Sequence, residues 1–154
     1  INTLDPLLSG GFSYLIGRRI RHASELDNIN GGKVRLNDEI YANKYSLLFF
    51  WGGWQSDVKS NLARLANAYD KYKDKGLQIV GVSLDGSIEE CKALCTEVDV
   101  NWVQLCEPSG GSARVAAMYG VAELPAAVLI NKNGTIIARM STVDEVLKKF
   151  KELF

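Results

Sequence analysis

The stretch Leu47-Leu48-Phe49-Phe50-Trp51-Gly52-Gly53-Trp54-Gln55-Ser56-Asp57-Val58 decides how this chain is read. The unbroken apolar run from Leu47 to Trp51 is that of a strand covered on both faces, as in a parallel sheet clad by helices. Two glycines break it. Beyond them, Val58, Leu62, Leu65, Ala66, Tyr69 and Tyr72 recur in steps of three and four, which makes one face of a helix. Ser56 or Asp57 can cap its start, and Gly76 suits its end. A strand that ends in a tight turn and delivers a helix N-terminus favours a reactive group there, because the helix end carries partial positive charge. Gln55 holds that place, and an amide has little chemistry of its own.

Working outward, Lys33-Val34-Arg35-Leu36 reads as a short strand after the Gly31-Gly32 turn. Leu77 to Leu84 is a second buried strand. Ser87 with Glu90 three residues on signals a capping box, and the helix it starts runs to about Val98, with Ile88, Cys91, Leu94, Cys95 and Val98 on its apolar side. Trp102 to Leu105 is a short extended segment. Ser112 to Tyr119 is an Ala-rich helix closed by Gly120. Ala127–Asn131 and Thr135–Ala138 are strands joined through the hairpin signal Asn133-Gly134. Thr142 with Glu145 caps a last helix whose apolar face is Val143, Val146, Leu147, Phe150 and Phe154. The alternation of strands and helices followed by a hairpin gives the fold class: an α/β, three-layer α/β/α sandwich with a mixed central sheet and a C-terminal β-hairpin plus helix.

Bulk properties narrow the function classes. The 154 residues suit one domain, and an apolar share of 47% is that of a globular protein. Residues 1–30 read as an extension or linker from an upstream region, and 31–154 as the domain itself. The start at Ile1 leads us to expect a processed or partial chain. Eighteen basic and eighteen acidic side chains balance, which gives no support for nucleic acid as a partner. No apolar run approaches the roughly 20 residues of a spanning helix, so no membrane insertion of this domain is expected. Arg18, Arg19, Arg21 and His22 form a small basic cluster, read as solvated surface; Phe12, Tyr14, Leu15 and Ile16 suggest a short strand. Gly52-Gly53 and Gly110-Gly111-Ser112 lack the lysine and spacing of a phosphate-binding loop. No cofactor is expected.

Two motifs resemble a family. Leu48 to Trp54 with its following helix looks like the active-site strand and turn of thioredoxin-like proteins. Val121-Ala122-Glu123-Leu124-Pro125-Ala126-Ala127-Val128-Leu129-Ile130-Asn131-Lys132-Asn133-Gly134 is similar to that family's second motif, in which a cis-proline precedes a strand and a hairpin. The branch it resembles is the TlpA/ResA type of thiol-disulfide oxidoreductase, related to the alkyl-hydroperoxide reductase/thiol-specific antioxidant group. That branch implies a strand-helix insertion near Ile79 to Leu105 and an extracytoplasmic, periplasmic or membrane-tethered place in a larger bacterial protein.

The resemblance also shows what is replaced. In the pattern Trp-x-x-Trp-Cys-x-x-Cys, the nucleophilic cysteine falls on Gln55 and the resolving one on Val58. An acidic residue that often helps move protons falls on Phe49. Neither Gln nor Val can form a disulfide, so a redox-inactive domain is expected, with no catalytic residue in the family's sense. What the resemblance leaves is a peptide- or protein-binding surface at Trp54, Gln55, Leu124 and Pro125, where backbone groups beside the proline can take an added strand; the plainer reading makes Trp54 and Pro125 remnants of the scaffold.

The alternative puts thiol or peroxidase chemistry on Cys91, Cys95 or Cys106. Cys91 and Cys95 lie four apart on a helix, with Cβ atoms roughly 5–6 Å apart, whereas a disulfide wants ~3.5–4.5 Å. A Cys95–Cys106 bridge is therefore the expected pairing, and the plainer reading is three core thiols. No metal site is expected, since three thiols lack a fourth ligand and His22 is remote in sequence.

Overall fold

The computed structural model describes residues 16–17 and 25–154. The basic cluster Arg18, Arg19, Arg21 and His22 lies outside the described residues, as do Phe12, Tyr14 and Leu15 of the suggested strand; Ile16 is exposed in a turn.

A short hairpin opens the domain: β1 (Glu25–Asp27) pairs antiparallel with β2 (Lys33–Arg35). Leu26 is fully buried, and the main-chain N–H of Ile29 donates to the oxygen of Gln104 at 3.1 Å. The boundary read at residue 30 falls in the turn of this hairpin. Helix α1 (Leu36–Ala42) follows. The sequence reading extended the preceding strand to Leu36 and had no helix here. With a seven-residue span, buried positions only at Leu36 and Ile40, and no side-chain cap at Arg35, the helix carries too little periodic signal to be seen.

The main sheet holds β3 (Tyr45–Trp51), β4 (Leu77–Ser83), β5 (Val103–Cys106), β6 (Ala126–Asn131) and β7 (Ile136–Met140) in the order β5-β4-β3-β6-β7. β3 is central, with β4 parallel on one side and β6 antiparallel on the other; β5 runs parallel to β4, and β7 antiparallel to β6. The strand period of two divides β3 between two cores. Leu47, Phe49 and Trp51 face α2 (Val58–Tyr72), α3 (Ile88–Val98) and α5 (Val143–Leu153). Leu48 and Phe50 face α1 and α4 (Gly111–Met118), with Leu36, Ile40, Val115 and Tyr119. This is the expected three-layer sandwich, and the uninterrupted apolarity of Leu47–Trp51 follows from cover on both faces.

Two of the three expected N-caps form. Ser87 accepts from the N–H of Glu90 at 3.3 Å and Thr142 from that of Glu145 at 3.1 Å. Asp57 is the N-cap residue of α2 by position, but neither it nor Ser56 supplies a side-chain cap bond. Instead the Val58 N–H donates to the main-chain oxygen of Gln55, so the turn itself closes the helix start. Gly76 takes a left-handed conformation (φ 97°) after one 3₁₀ turn, as the stop of α2 requires.

Candidate functional site

The parallel strands β3 and β4 carry their C-terminal ends to the same edge of the sheet, where sites form in open α/β folds. The turn Gly52–Asp57 leaves β3 there. The Gln55 N–H donates to the oxygen of Gly52 at 3.2 Å. The Gln55 side chain spans the site: its Oε1 accepts from the Gly52 N–H at 3.4 Å, and its Nε2 donates to the main-chain oxygen of Leu124 at 2.7 Å. The Leu124–Pro125 peptide is cis. Val58 is buried against the core, at the first position of α2. Phe49 is 1% exposed within the helix-clad core, where an acid would have no solvent.

Trp54 is 65% exposed, and its indole lies against the backbone of Gly52, where a Cβ would fall 2.4 Å from the ring. It borders a cleft of about 470 Å³ that is walled by Gly53, Asp85 and Gly86 and by Glu90, Leu94 and Glu97 of α3. Pro125 borders a different hollow, of about 270 Å³, with Asp57, Asn61, Arg64, Thr142 and Asp144. Of the four candidate binding residues, Gln55 and Leu124 are thus joined directly, while Trp54 and Pro125 each line a hollow of their own.

Beneath the turn lies a polar layer that the sequence reading missed. Asp85, in the loop after β4, accepts from the Gly53 N–H at 2.7 Å through Oδ1 and from the Ser83 hydroxyl at 2.7 Å through Oδ2. Its own N–H returns a bond to the Ser83 oxygen at 3.1 Å. Gln104 of β5 accepts at its Oε1 from the indole N–H of Trp102 at 3.0 Å and of Trp51 at 3.3 Å. Room for it comes from Gly81, where a Cβ would meet Gln104 Oε1 at 1.9 Å. One signal was available for Asp85: it directly follows a strand expected to be parallel to β3, which places it next to the Gly52–Gly53 turn.

All three cysteines are free and buried. Cys91, Cys95 and Cys106 share the helix-clad core, with the Ser83 hydroxyl close to both Cys91 and Cys106. The Cys95–Cys106 bridge expected from sequence is therefore not formed. Cys106 donates to the main-chain oxygen of Asp85 at 3.7 Å. The neighbouring Cys106 pulls the Cys91 pKa down, but Cys95 and burial outweigh it and push Cys91 up to about 12. The neighbouring Cys91 and burial raise Cys106 strongly. Both therefore stand as thiols, not thiolates, near neutral pH. Among the described residues, no group of three or more His, Cys, Asp or Glu is placed to hold a metal ion, and no helix is long and apolar enough to cross a membrane.

Comparison with known proteins agrees with this edge-of-sheet geometry. The model of a family described as thioredoxin-like matches residues 43–136. The chain belongs to the thioredoxin-like family. It is 27% identical over 128 residues to the thiol-disulfide oxidoreductase ResA of Bacillus thuringiensis, covering 79% of this chain and 71% of that protein. A solved thiol:disulfide interchange protein from a Bacteroides species superposes with a TM-score of 0.77 at 27% identity, over 89% of this chain and 88% of the other. A thiol-disulfide oxidoreductase from Bacteroides fragilis does so with a TM-score of 0.75 at 30% identity, over 87% and 100%. The fold is thus that of the ResA type of thiol-disulfide oxidoreductase, and this chain carries Gln-Ser-Asp-Val at 55–58.

Proposed function

We propose that this thioredoxin-like domain has given up the dithiol reaction of its relatives and works by binding, holding an extended peptide or protein segment at the surface of Trp54, Gln55, Leu124 and Pro125. The observation that carries the proposal is the side chain of Gln55. Where the family pattern places a nucleophile, an amide donates to Leu124 and accepts from Gly52, an arrangement that fastens the turn to the proline loop and offers no leaving or attacking group. Trp54, two-thirds exposed beside a cleft, gives such a surface an aromatic anchor. By the ResA likeness, the domain works outside the cytoplasm as part of a larger chain.

Two measurements test this. Turnover of a disulfide substrate with a thiol reductant is expected at the uncatalysed rate. Selection from a displayed library of extended peptides is expected to yield binders whose affinity falls at least tenfold with Trp54→Ala while the fold is kept. Catalytic turnover, or binders indifferent to Trp54 and to Pro125→Ala, overturns the reading.

A second reading, a thiol oxidoreductase or peroxidase using Cys91, Cys95 or Cys106, is favoured by one observation, the gathering of all three cysteines in one core cluster. Turnover in the same assay that disappears with Cys91→Ala and Cys106→Ala would establish it. Burial and the raised thiol pKa of Cys91 oppose it, since thiolate is the reacting form.

A further inference from the structure

We propose that the extended segment held by this domain is basic, and that one of its arginine or lysine side chains lies on Trp54 and enters the cleft between the Gly53–Trp54 turn and α3. The proposal rests on the peptide-binding reading and names the chemistry of the partner.

The cleft has a built wall of one charge. At about 470 Å³ it falls within the roughly 300–1,000 Å³ of ligand sites. Glu90, Leu94 and Glu97 stand four and then three residues apart on α3 and so share one face. The charged residues that line the cleft are Asp85, Glu90 and Glu97, all acidic. Glu90 is exposed, and among the described residues its carboxylate forms no hydrogen bond or ion pair. Glu97 holds Lys59 at 2.7 Å, but both side chains are more than half exposed, so that pair yields to another cation at little cost. Asp85 is 7% exposed and accepts one hydrogen bond at each oxygen, from Gly53 and from Ser83. Its remaining lone pairs are unused, and no ion pair to it forms among the described residues.

Trp54 supplies the other half of the site. Its six-membered ring covers Gly52, with three ring carbons 2.4–2.7 Å from where a Cβ would stand. The residue is nonetheless 65% exposed, so the ring is seated on the backbone and open to a ligand. A guanidinium stacks on such a ring and turns its fork of N–H groups to carboxylates beside it. Trp54 belongs both to the proposed peptide surface and to the wall of this cleft, so a segment anchored on it has the acidic face next to it. An acidic or phosphorylated segment would meet three like charges. A wholly apolar one would strip water from Glu90 and Asp85 and give nothing in return.

The test is selection of the whole chain against a displayed library of random extended peptides, followed by calorimetric titration of a selected peptide and of the same peptide with citrulline, a neutral isostere, in place of its arginine. Selected peptides are expected to be enriched in arginine and lysine. Citrulline should weaken binding about tenfold, as the sum of a cation–π contact and solvent-facing ion pairs implies. Raising salt from about 0.1 M to 1 M, which shortens the Debye length from about 10 to 3 Å, should weaken the arginine peptide several-fold and leave the citrulline peptide nearly unchanged. Glu90→Gln with Glu97→Gln, both at exposed positions, should remove the preference for arginine over citrulline while the circular dichroism spectrum is kept, and Glu90→Lys should select acidic peptides instead. Peptides that depend on Trp54 but bind equally with arginine or citrulline overturn this proposal and leave the binding reading standing. A library that yields no binder overturns both.

Discussion

The side-chain amide of Gln55 joins the turn after β3 to the loop before β6, donating to the main-chain oxygen of Leu124 across 2.7 Å. In a dithiol enzyme of this fold, the two loops flank a sulfur that must be free to react. Here they are tied to each other through a neutral group that does not ionise. The tie is local, since the other end of the same amide closes on Gly52 three residues back. It makes the turn a fixed part of the surface.

Removing the tie should cost stability in a defined amount. Gln55→Ala loses one short hydrogen bond at a half-buried site, and an unfolding free energy lower by about 1 kcal/mol is expected from denaturant titration. Gln55→Glu is more informative. A carboxylate can still accept from Gly52 but turns a lone pair on the Leu124 oxygen, so its folded-state pKa should rise. Stability is then retained below the ordinary carboxyl value of about 4.3 and lost as pH rises through the raised folded value. The variant should approach the wild type at pH 4 and fall below it at pH 7; equal deficits at both would remove the Leu124 bond as the cause.

Gly81 is required by its neighbours rather than by its conformation. A Cβ there meets Gln104 Oε1 at 1.9 Å and the Trp102 indole nitrogen at 2.7 Å. Gln104 is only 1% exposed and accepts from two indoles, so it cannot swing away without leaving both N–H groups unpaired. Gly81→Ala should therefore destabilise by roughly 2–4 kcal/mol, read from urea unfolding with the emission of the buried tryptophans as probe. A change below about 0.5 kcal/mol would show that the network repacks without cost.

How much of this was legible in the sequence follows from what each signal depends on. Helices α3 and α5 announce themselves through Ser87 and Thr142, because a cap is a local device acting over three residues. Strand β3 is legible because burial on both faces leaves an apolar run with no alternation. Helix α1 is not, because two buried side chains in seven residues do not make a period. The turn at Gly52–Gln55 was placed by motif, but its partners were hidden. Asp85, Gln104 and Gly81 come from strands β4 and β5 and the loop between them, and they meet the site only through lateral pairing of the sheet. The cysteine pairing was not legible either: Cys91 and Cys95 share a helix face, the sequence does not give the axial position of α3 against β5, and the structure leaves all three as free thiols.

Burial of the thiols gives the reduced protein an alkaline limit. Cys91 has its pKa raised from the ordinary 9.0 to about 12 in the folded state. A raised value on an acid means that folding favours the protonated form. The corresponding stability is fully present below pH 9 and is lost as pH rises towards 12. Tyr119, buried beside Phe50 and raised in the same direction by its burial, acts with the same sign. Under reducing conditions the denaturation midpoint should fall steadily above pH 9, and Cys91→Ala should flatten that fall. A midpoint with the same slope in the variant would assign the loss to other groups.

Asp85 should hold the candidate binding turn in place, and amide exchange can read this at a single bond. Its carboxylate accepts from the Gly53 N–H at 2.7 Å and is itself fixed by the Ser83 hydroxyl. A charge-assisted bond of this kind is worth about 1.5–3 kcal/mol. Asp85→Ala should therefore speed hydrogen exchange at Gly53 by roughly tenfold or more, while amides in the middle of β3 keep their protection. Asp85→Asn retains an acceptor oxygen without the charge and should fall between the two. The comparison separates the anchor from general loosening, since only a local role accelerates Gly53 alone. If Gly53 exchanges at the wild-type rate in the alanine variant, the turn is held by the Gln55–Leu124 bond alone, and Gln55→Ala should then show the acceleration in its place.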